Sequence, residues 1–309
     1  MIETTIGSLK LKNPFILASG VLGVNASIIV RVANAGCGGI TTKSIGPEPK
    51  AGNPNPTVVE LGNGNLINAM GLPNPGCKEF VAEIIEAKKR TSAPIIASIF
   101  GKDTEEFILV AKTLLKGKPD AFELNVSCPH GGKYGSIIGQ DKALVEEITR
   151  EIKKIVDVPV YVKISPNLSD LRIPAEAAVS GGADGIVVIN TLRAMAIDID
   201  YQKPILANKF GGLSGPAVKP VALKCVYDMY AAFGDKVPII GVGGISKWED
   251  VVEFMLAGAS AVQIGTAIAY CKDPVNISIF NELAVGLKKY LKSEGFSKPA
   301  EIVGLAHKD

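Results

Sequence analysis

The segment NVSCPHGG, residues 125–132, carries the clearest candidate for proton chemistry in the chain. A cysteine on a loop can abstract a proton when its thiolate is accessible, and Cys128 sits beside a proline and two glycines that suit a loop able to close over a small molecule. The usual fate of cysteine is a small buried thiol. We assign that fate to Cys37, Cys225 and Cys271, set among apolar residues at helical positions, and assign no role to Cys77 at a helix start. Lys43 and Lys163 each close a run of apolar or small residues. An ammonium there is costly to desolvate and needs an anionic or strongly accepting partner. A substrate carboxylate would serve, as would the edge of a redox ring that becomes negative on reduction. One such lysine could simply snorkel to solvent; two at one place favour a site. Glu123 precedes Asn125 by two and shares its side of a strand, which suits a structural carboxylate lower down, paired with a lysine.

Asn68, Asn74, Asn125 and Asn190 each offer a donor pair and an acceptor. Converging, they would match a planar ring of alternating C=O and N–H groups, such as a pyrimidine; Asn74, inside LPNPG, reads equally as a turn former. GVGGISKWED and GASAVQIGTA supply glycines that let backbone N–H groups approach an anion, so we expect phosphate binding there. The two histidines, His130 and His307, have no paired ligand spacing, which argues against a metal site.

These residues must be positioned by regular elements. Apolar runs at 14–18, 38–42, 94–98, 121–125, 159–163, 185–189, 238–242 and 261–265 read as strands. Helical spacing lies between most of them, in CKEFVAEIIEAKKR, TEEFILVAKTLLK, KALVEEITREIKKIV, IPAEAAVSGG and WEDVVEFMLAGA. Eight alternating units predict an α/β fold, a TIM (β/α)8 barrel with long insertions after strands 2 and 6, at 43–77 and 190–220. The carboxyl ends of the strands then gather Ser19-Gly20, Lys43-Ser44, Ser98, Asn125 to Cys128, Lys163, Asn190-Thr191, Gly243-Gly244 and Gly265-Thr266 at one mouth. GNGNLINAMG lacks the strand, the full glycine pattern and the helix of a dinucleotide fold. With no repeat or linker, residues 1–309 read as one domain.

Composition narrows the class. The 309 residues are 47% hydrophobic and carry a net charge of +2, which argues against nucleic acid or an anionic membrane as partner. No apolar run approaches a spanning helix, and the opening MIETTIGSLKLKNP reads as neither signal peptide nor anchor. Five scattered cysteines argue against a disulfide framework or an iron–sulfur cluster in this chain, and for the reducing cytoplasm.

NPFILASG, TKS, GNPNPTVVE, INAMGLPNPG, ELNVSCP, VPVYVKISPN, GADGIVVINT, KPILANKFGGLSGPAVKP, PIIGVGGI and AGASAVQIGTA together resemble the catalytic subunit of class 1B dihydroorotate dehydrogenases, over nearly the whole chain. The resemblance implies FMN across the barrel mouth, contacted by Ser19, Lys43, Ser44, Ser98, Asn125, Lys163, Ile189, Gly215, Gly243, Gly244, Gly265 and Thr266. It implies a pyrimidine held by Lys43, Asn68, Ala69, Met70, Gly71, Leu72, Asn125, Asn190 and Thr191, with NAMGL backbone receiving its carboxylate. Cys128 would take the C5 proton of dihydroorotate while C6 gives hydride to flavin N5, within pyrimidine (UMP) biosynthesis. A homodimer of this chain is implied, together with an FAD and [2Fe–2S] subunit that passes electrons to NAD in a heterotetramer; a lone homodimer using fumarate is the other arrangement. Two positions depart from the family pattern: His130 and Ser98 stand where asparagine is usual. SCPHGG also resembles the pyrimidine-reducing domain of dihydropyrimidine dehydrogenase, although a uracil site has no carboxylate for NAMGL to bind. A flavin-binding barrel without catalysis is the alternative from another class.

Overall fold

Runs of Ile, Val and Ala closed by glycine or polar residues become eight short parallel strands: β1 (Phe15–Leu17), β2 (Gly39–Thr41), β3 (Ile95–Ile99), β4 (Ala121–Asn125), β5 (Val160–Ile164), β6 (Gly185–Val188), β7 (Ile239–Val242) and β8 (Ala259–Ile264). The structure, a computed structural model, describes residues 2–126 and 138–308. Each strand pairs with the next, and β8 closes on β1 with Val262 opposite Phe15. Each is followed by an α-helix of the same number: α1 (Ala26–Asn34), α2 (Cys77–Arg90), α3 (Thr104–Leu114), α4 (Lys142–Ile155), α5 (Arg172–Ser180), α6 (Lys219–Phe233), α7 (Trp248–Leu256) and α8 (Ile279–Ser293). The fold is the expected TIM barrel. Five of its helices stand out in the sequence; α1, α6 and α8 do not. In α1 the run Ile28-Ile29-Val30 is β-branched and lacks a clear helical period, and the Asn25 side chain, accepting from Ile28 N–H at 3.0 Å, caps it as a helix start.

Period-two alternation sorts the strand residues. Phe122 and Leu124 face the helices, whereas Ile16, Ile96, Ala121, Tyr161, Val187, Ile240 and Ala261 fill the barrel interior. Ile6, Leu9 and Leu11, from a hairpin of Thr4–Ile6 and Leu9–Leu11, join that inner cluster and close the amino-terminal end. Tyr161 Oη donates to Ile6 O at 2.9 Å; burial, with the Asp184 carboxylate, pushes its phenol up. Asp120, just before β4, accepts from Ile95 N–H at the start of β3 at 2.8 Å, and Asp184, just before β6, accepts from Val160 N–H at the start of β5 at 2.7 Å.

The two long insertions expected after strands 2 and 6 are present, and together they build a sheet. Val58–Gly62, Asn65–Asn68, Gly211–Ser214 and Leu192–Ala194 pair antiparallel in that order. The turn between the first two is Asn63-Gly64, both at positive φ (53° and 74°), the Asn-Gly combination that favours a tight hairpin. Among the described residues no helix is long and apolar enough to cross a membrane.

Candidate active site

The carboxyl ends of the strands and the inner face of the added sheet enclose a cavity of about 430 Å³. Of the residues expected at a site, Ser19, Lys43, Ser44, Asn68, Met70, Gly71, Leu72, Asn125, Lys163, Ile189, Asn190, Thr191, Gly215, Gly243, Gly244, Gly265 and Thr266 line it. Two do not. Ser98 is fully buried, one layer behind, with its hydroxyl 2.9 Å from that of Ser44. Ala69 is 1% exposed and packs with Ile67 and Leu206; its N–H is committed to Thr57 O at 2.7 Å. Cys128 and His130 lie outside the described residues.

Barrel geometry explains the polar wall on the β2–β4 side. Ser44 Oγ accepts from Asn125 Nδ2 at 3.0 Å and lies 3.2 Å from Ser19 Oγ, so one hydroxyl ties the ends of β1, β2, β3 and β4 together. Lys43 is 8% exposed, and its N–H donates to Gly23 O at 2.7 Å. Asn68 Nδ2 donates to Gly212 O at 3.2 Å across the added sheet. Asn190 Oδ1 accepts from Thr191 N–H at 2.8 Å. Asn74 sits apart from the cavity, accepting from Gly46 and Gly76 N–H groups, and so serves the turn.

Sequence reasoning passed over several residues. Asn167 donates to Thr191 O at 2.9 Å and accepts from Arg193 N–H at 2.8 Å, which ties the β5 loop to the β6 insertion. Asn53 donates to Ala69 O at 2.9 Å and holds the NAMGL segment. Gln263, 1% exposed, stands inside the barrel between Lys163 and Glu123. Its signal was available: Gln263 is the one amide in AVQIG and lies two residues from Ala261 and from Gly265, hence on the inward side. Glu123 is the carboxylate anticipated lower in the barrel, and the lysine beside it is Lys163, whose ammonium stands 3.9 Å from Oε1.

The β7–β8 side carries a glycine turn. Gly243 and Gly244 have φ of +132° and +75°, and a Cβ would stand 2.7 Å from Ala222 Cβ at the first and 2.7 Å from Lys219 N at the second. Only glycine lets the backbone turn there without displacing α6. Thr266 Oγ1 donates to Ser214 Oγ at 2.8 Å, joining the β8 end to the added sheet. Asp250, 2% exposed in the first turn of α7, accepts from Ser246 N–H at 2.8 Å, Lys247 N–H at 3.0 Å and Lys219 Nζ at 2.8 Å. Burial pushes its carboxyl up, but the hydrogen bonds from Lys219, Ser246 and Lys247 outweigh that and leave it below the usual carboxylate range. The segment that follows the glycine turn is thereby tied to both α6 and α7.

The cysteines assigned a buried fate divide. Cys37 is fully buried, its thiol pushed up to about 12 chiefly by burial. It stands in the turn before β2 rather than in a helix, and Cys271 follows a short 3-10 turn rather than lying on a helix. Cys225 is half-buried in α6, and Cys77 begins α2. None of these four lines the cavity.

The cavity therefore joins two buried ammonium groups, several amides and a glycine turn, a set whose size and chemistry could hold a planar cofactor beside a polar ring. Residues 1–289 match the family model described as dihydroorotate dehydrogenase. A protein of Methanosarcina mazei described as dihydroorotate dehydrogenase B (NAD(+)), catalytic subunit, is 53% identical over 98% of this chain and 94% of its own length. Proteins with the same description from Pyrococcus abyssi (51% identical over all of both chains) and Methanocaldococcus jannaschii (48%, covering 99% of this chain and 98% of the other) are similar throughout.

Proposed function

The chain belongs to the dihydroorotate dehydrogenase family, and from that premise we propose that it oxidises (S)-dihydroorotate to orotate in pyrimidine (UMP) biosynthesis, with FMN as its resident cofactor. The observation that carries this reading is one cavity bringing buried Lys43 and Lys163 together with the glycine cradle of Gly243 and Gly244. The residues fit FMN. A cavity of about 430 Å³ falls within the size of cofactor sites, roughly 300–1,000 Å³. Its cradle would accept a phosphate, and Lys163 offers positive charge to a ring.

Gly215, Gly243, Gly244, Gly265 and Thr266 would hold the phosphate end. Ser19, Ser44, Asn125, Lys163 and Ile189 would flank the ring, with Ser98 acting through Ser44. FMN supplies, when bound, the acceptor for the electron pair that leaves C6. Lys43, Asn68, Asn125, Asn190 and Thr191 would orient the pyrimidine by its carbonyl and N–H groups, and the NAMGL segment, braced by Asn53, would meet the carboxylate. Cys128, in the segment that follows β4, would take the C5 proton, which is acidic because C5 lies next to a carbonyl.

Electrons would leave through a partner subunit carrying FAD and a [2Fe–2S] cluster, with NAD as acceptor and two copies of this chain in a heterotetramer. The words "NAD(+)" and "catalytic subunit" in the relatives' descriptions support that arrangement. We further propose that residues 1–309 act as one catalytic unit in the cytoplasm.

The test is anaerobic mixing of the purified, FMN-loaded protein with dihydroorotate or with dihydrouracil. The yellow absorption should bleach with dihydroorotate alone. Bleaching by dihydrouracil would favour a uracil-type reductase, and a protein that takes up no FMN would remove the flavoenzyme reading.

A further inference from the structure

We propose that Gln263 is a positioning residue: its side-chain amide holds Lys163 off Glu123 and so keeps the lysine's charge available to the ring bound in the cavity. The inference rests on the FMN reading above. Lys163 Nζ donates to Gln263 Oε1 at 3.0 Å, and Gln263 Nε2 donates to Glu123 Oε2 at 2.6 Å, with Thr41 Oγ1 at 3.4 Å. The amide therefore has one orientation that serves both neighbours, oxygen toward the ammonium and nitrogen toward the carboxylate. The other Glu123 oxygen stays 3.9 Å from Nζ and accepts no hydrogen bond among the described residues, although Glu123 is fully buried.

That separation is the unusual feature. A buried ammonium and carboxylate left to themselves close to a direct contact of about 2.8 Å. Their attraction is strong where water is excluded. Here an inserted amide fills the place of that contact and spends the carboxylate's Oε2 on itself. Lys163 has three donors, and its ammonium lines the cavity with only one of them given to Gln263 in the described network. Closing the lysine onto Glu123 would cancel much of its field at the ring. Holding it apart leaves a positive charge beside a ring that gains negative charge on reduction.

Two substitutions in this one network should therefore act with opposite signs. Gln263→Met removes the spacer at similar length and lets Lys163 close onto Glu123, so the bound flavin becomes harder to reduce. Glu123→Gln removes the opposing charge, so the flavin becomes easier to reduce. The readouts are the FMN reduction potential and the affinity of the oxidised flavin for sulfite, whose anionic adduct is favoured by nearby positive charge. We expect sulfite binding to weaken about tenfold in Gln263→Met and tighten about tenfold in Glu123→Gln, with potentials moving about 30 mV down and up, since tenfold in a two-electron couple is about 30 mV. In the double variant the lysine has no carboxylate to fall onto, and the potential should return to the Glu123→Gln side. FMN-loaded variants that shift in the same direction, or not at all, overturn the inference alone. A wild-type protein that takes up no FMN overturns the flavin reading and the inference with it.

Discussion

A thiol serves as a base only while it reaches both its substrate proton and the water that recharges it, and at the scale of single residues this is the demand placed on Cys128. General-base catalysis contributes typically ~10²–10⁴-fold, so Cys128→Ala should lower the rate of flavin bleaching by dihydroorotate by roughly that factor with FMN content unchanged. A serine in its place is a far weaker acid than a thiol, whose free pKa is about 8.5, so the Cys128→Ser reaction should need higher pH. Rapid mixing across a pH series measures both. An alanine variant that bleaches at the wild-type rate would assign the proton to another group. Of the residues with candidate chemistry, the lysines and asparagines were legible because a polar side chain closing an apolar run has few other reasons to be there. Asn53 and Asn167 were not singled out, because an amide that braces another residue looks in sequence like any polar residue; Gln263 was passed over although its inward position on β8 was there to read.

At the scale of elements, the loop between β7 and α7 joins the site to the scaffold. Asp250 gathers Ser246, Lys247 and Lys219 around one carboxylate, and Gly243-Gly244 hang from that knot. Asp250→Asn replaces an acceptor of several donors by a group with donors of its own. The expected cost is about 2 kcal/mol, the scale of hydrogen bonds to a charged group. FMN affinity should fall with it, as fluorescence titration would register. The pH dependence follows from the lowered carboxyl. An unfolded aspartate titrates near 3.9, and in the folded protein Asp250 gives up its proton at lower pH. Its contribution is present above about pH 4 and is lost as pH falls through the folded value. Urea midpoints at neutral and acid pH should therefore converge between wild type and Asp250→Asn as the solution becomes acidic. A difference that persists unchanged into acid would mean that the carboxylate's charge is not what holds the loop.

For the molecule as a whole, the barrel is stoppered at its amino-terminal end and open at the other. The hairpin at residues 4–11 packs Ile6, Leu9 and Leu11 under the inner layer, and Tyr161 reaches down to Ile6 O. Tyr161→Phe keeps the ring and deletes the hydrogen bond, for a loss of about 1–2 kcal/mol. The melting temperature should fall by a few degrees while kcat for dihydroorotate stays unchanged, since the change lies on the floor and not at the mouth. Calorimetry and a steady-state assay on one preparation check both halves. A fall in kcat would mean that the floor hairpin transmits to the site.

The eight strands, five of the helices between them, the eightfold closure and the end at which polar residues gather were all determined by the sequence read alone. Those features follow from local rules: side-chain period, turn chemistry and the parallel pairing that alternating elements require. Local rules did not reach the sheet built by 58–68 and 192–214, whose pairing of Asn68 with Gly212 spans 144 residues. Nor did they separate Ser98, one layer back, from Ser44 at the wall. They also left open the standoff of Lys163 from Glu123 by an amide on β8. These depend on which distant segments meet and how far apart they stop. Closing the barrel settles both at once, because it fixes every inward side chain against partners from the other strands.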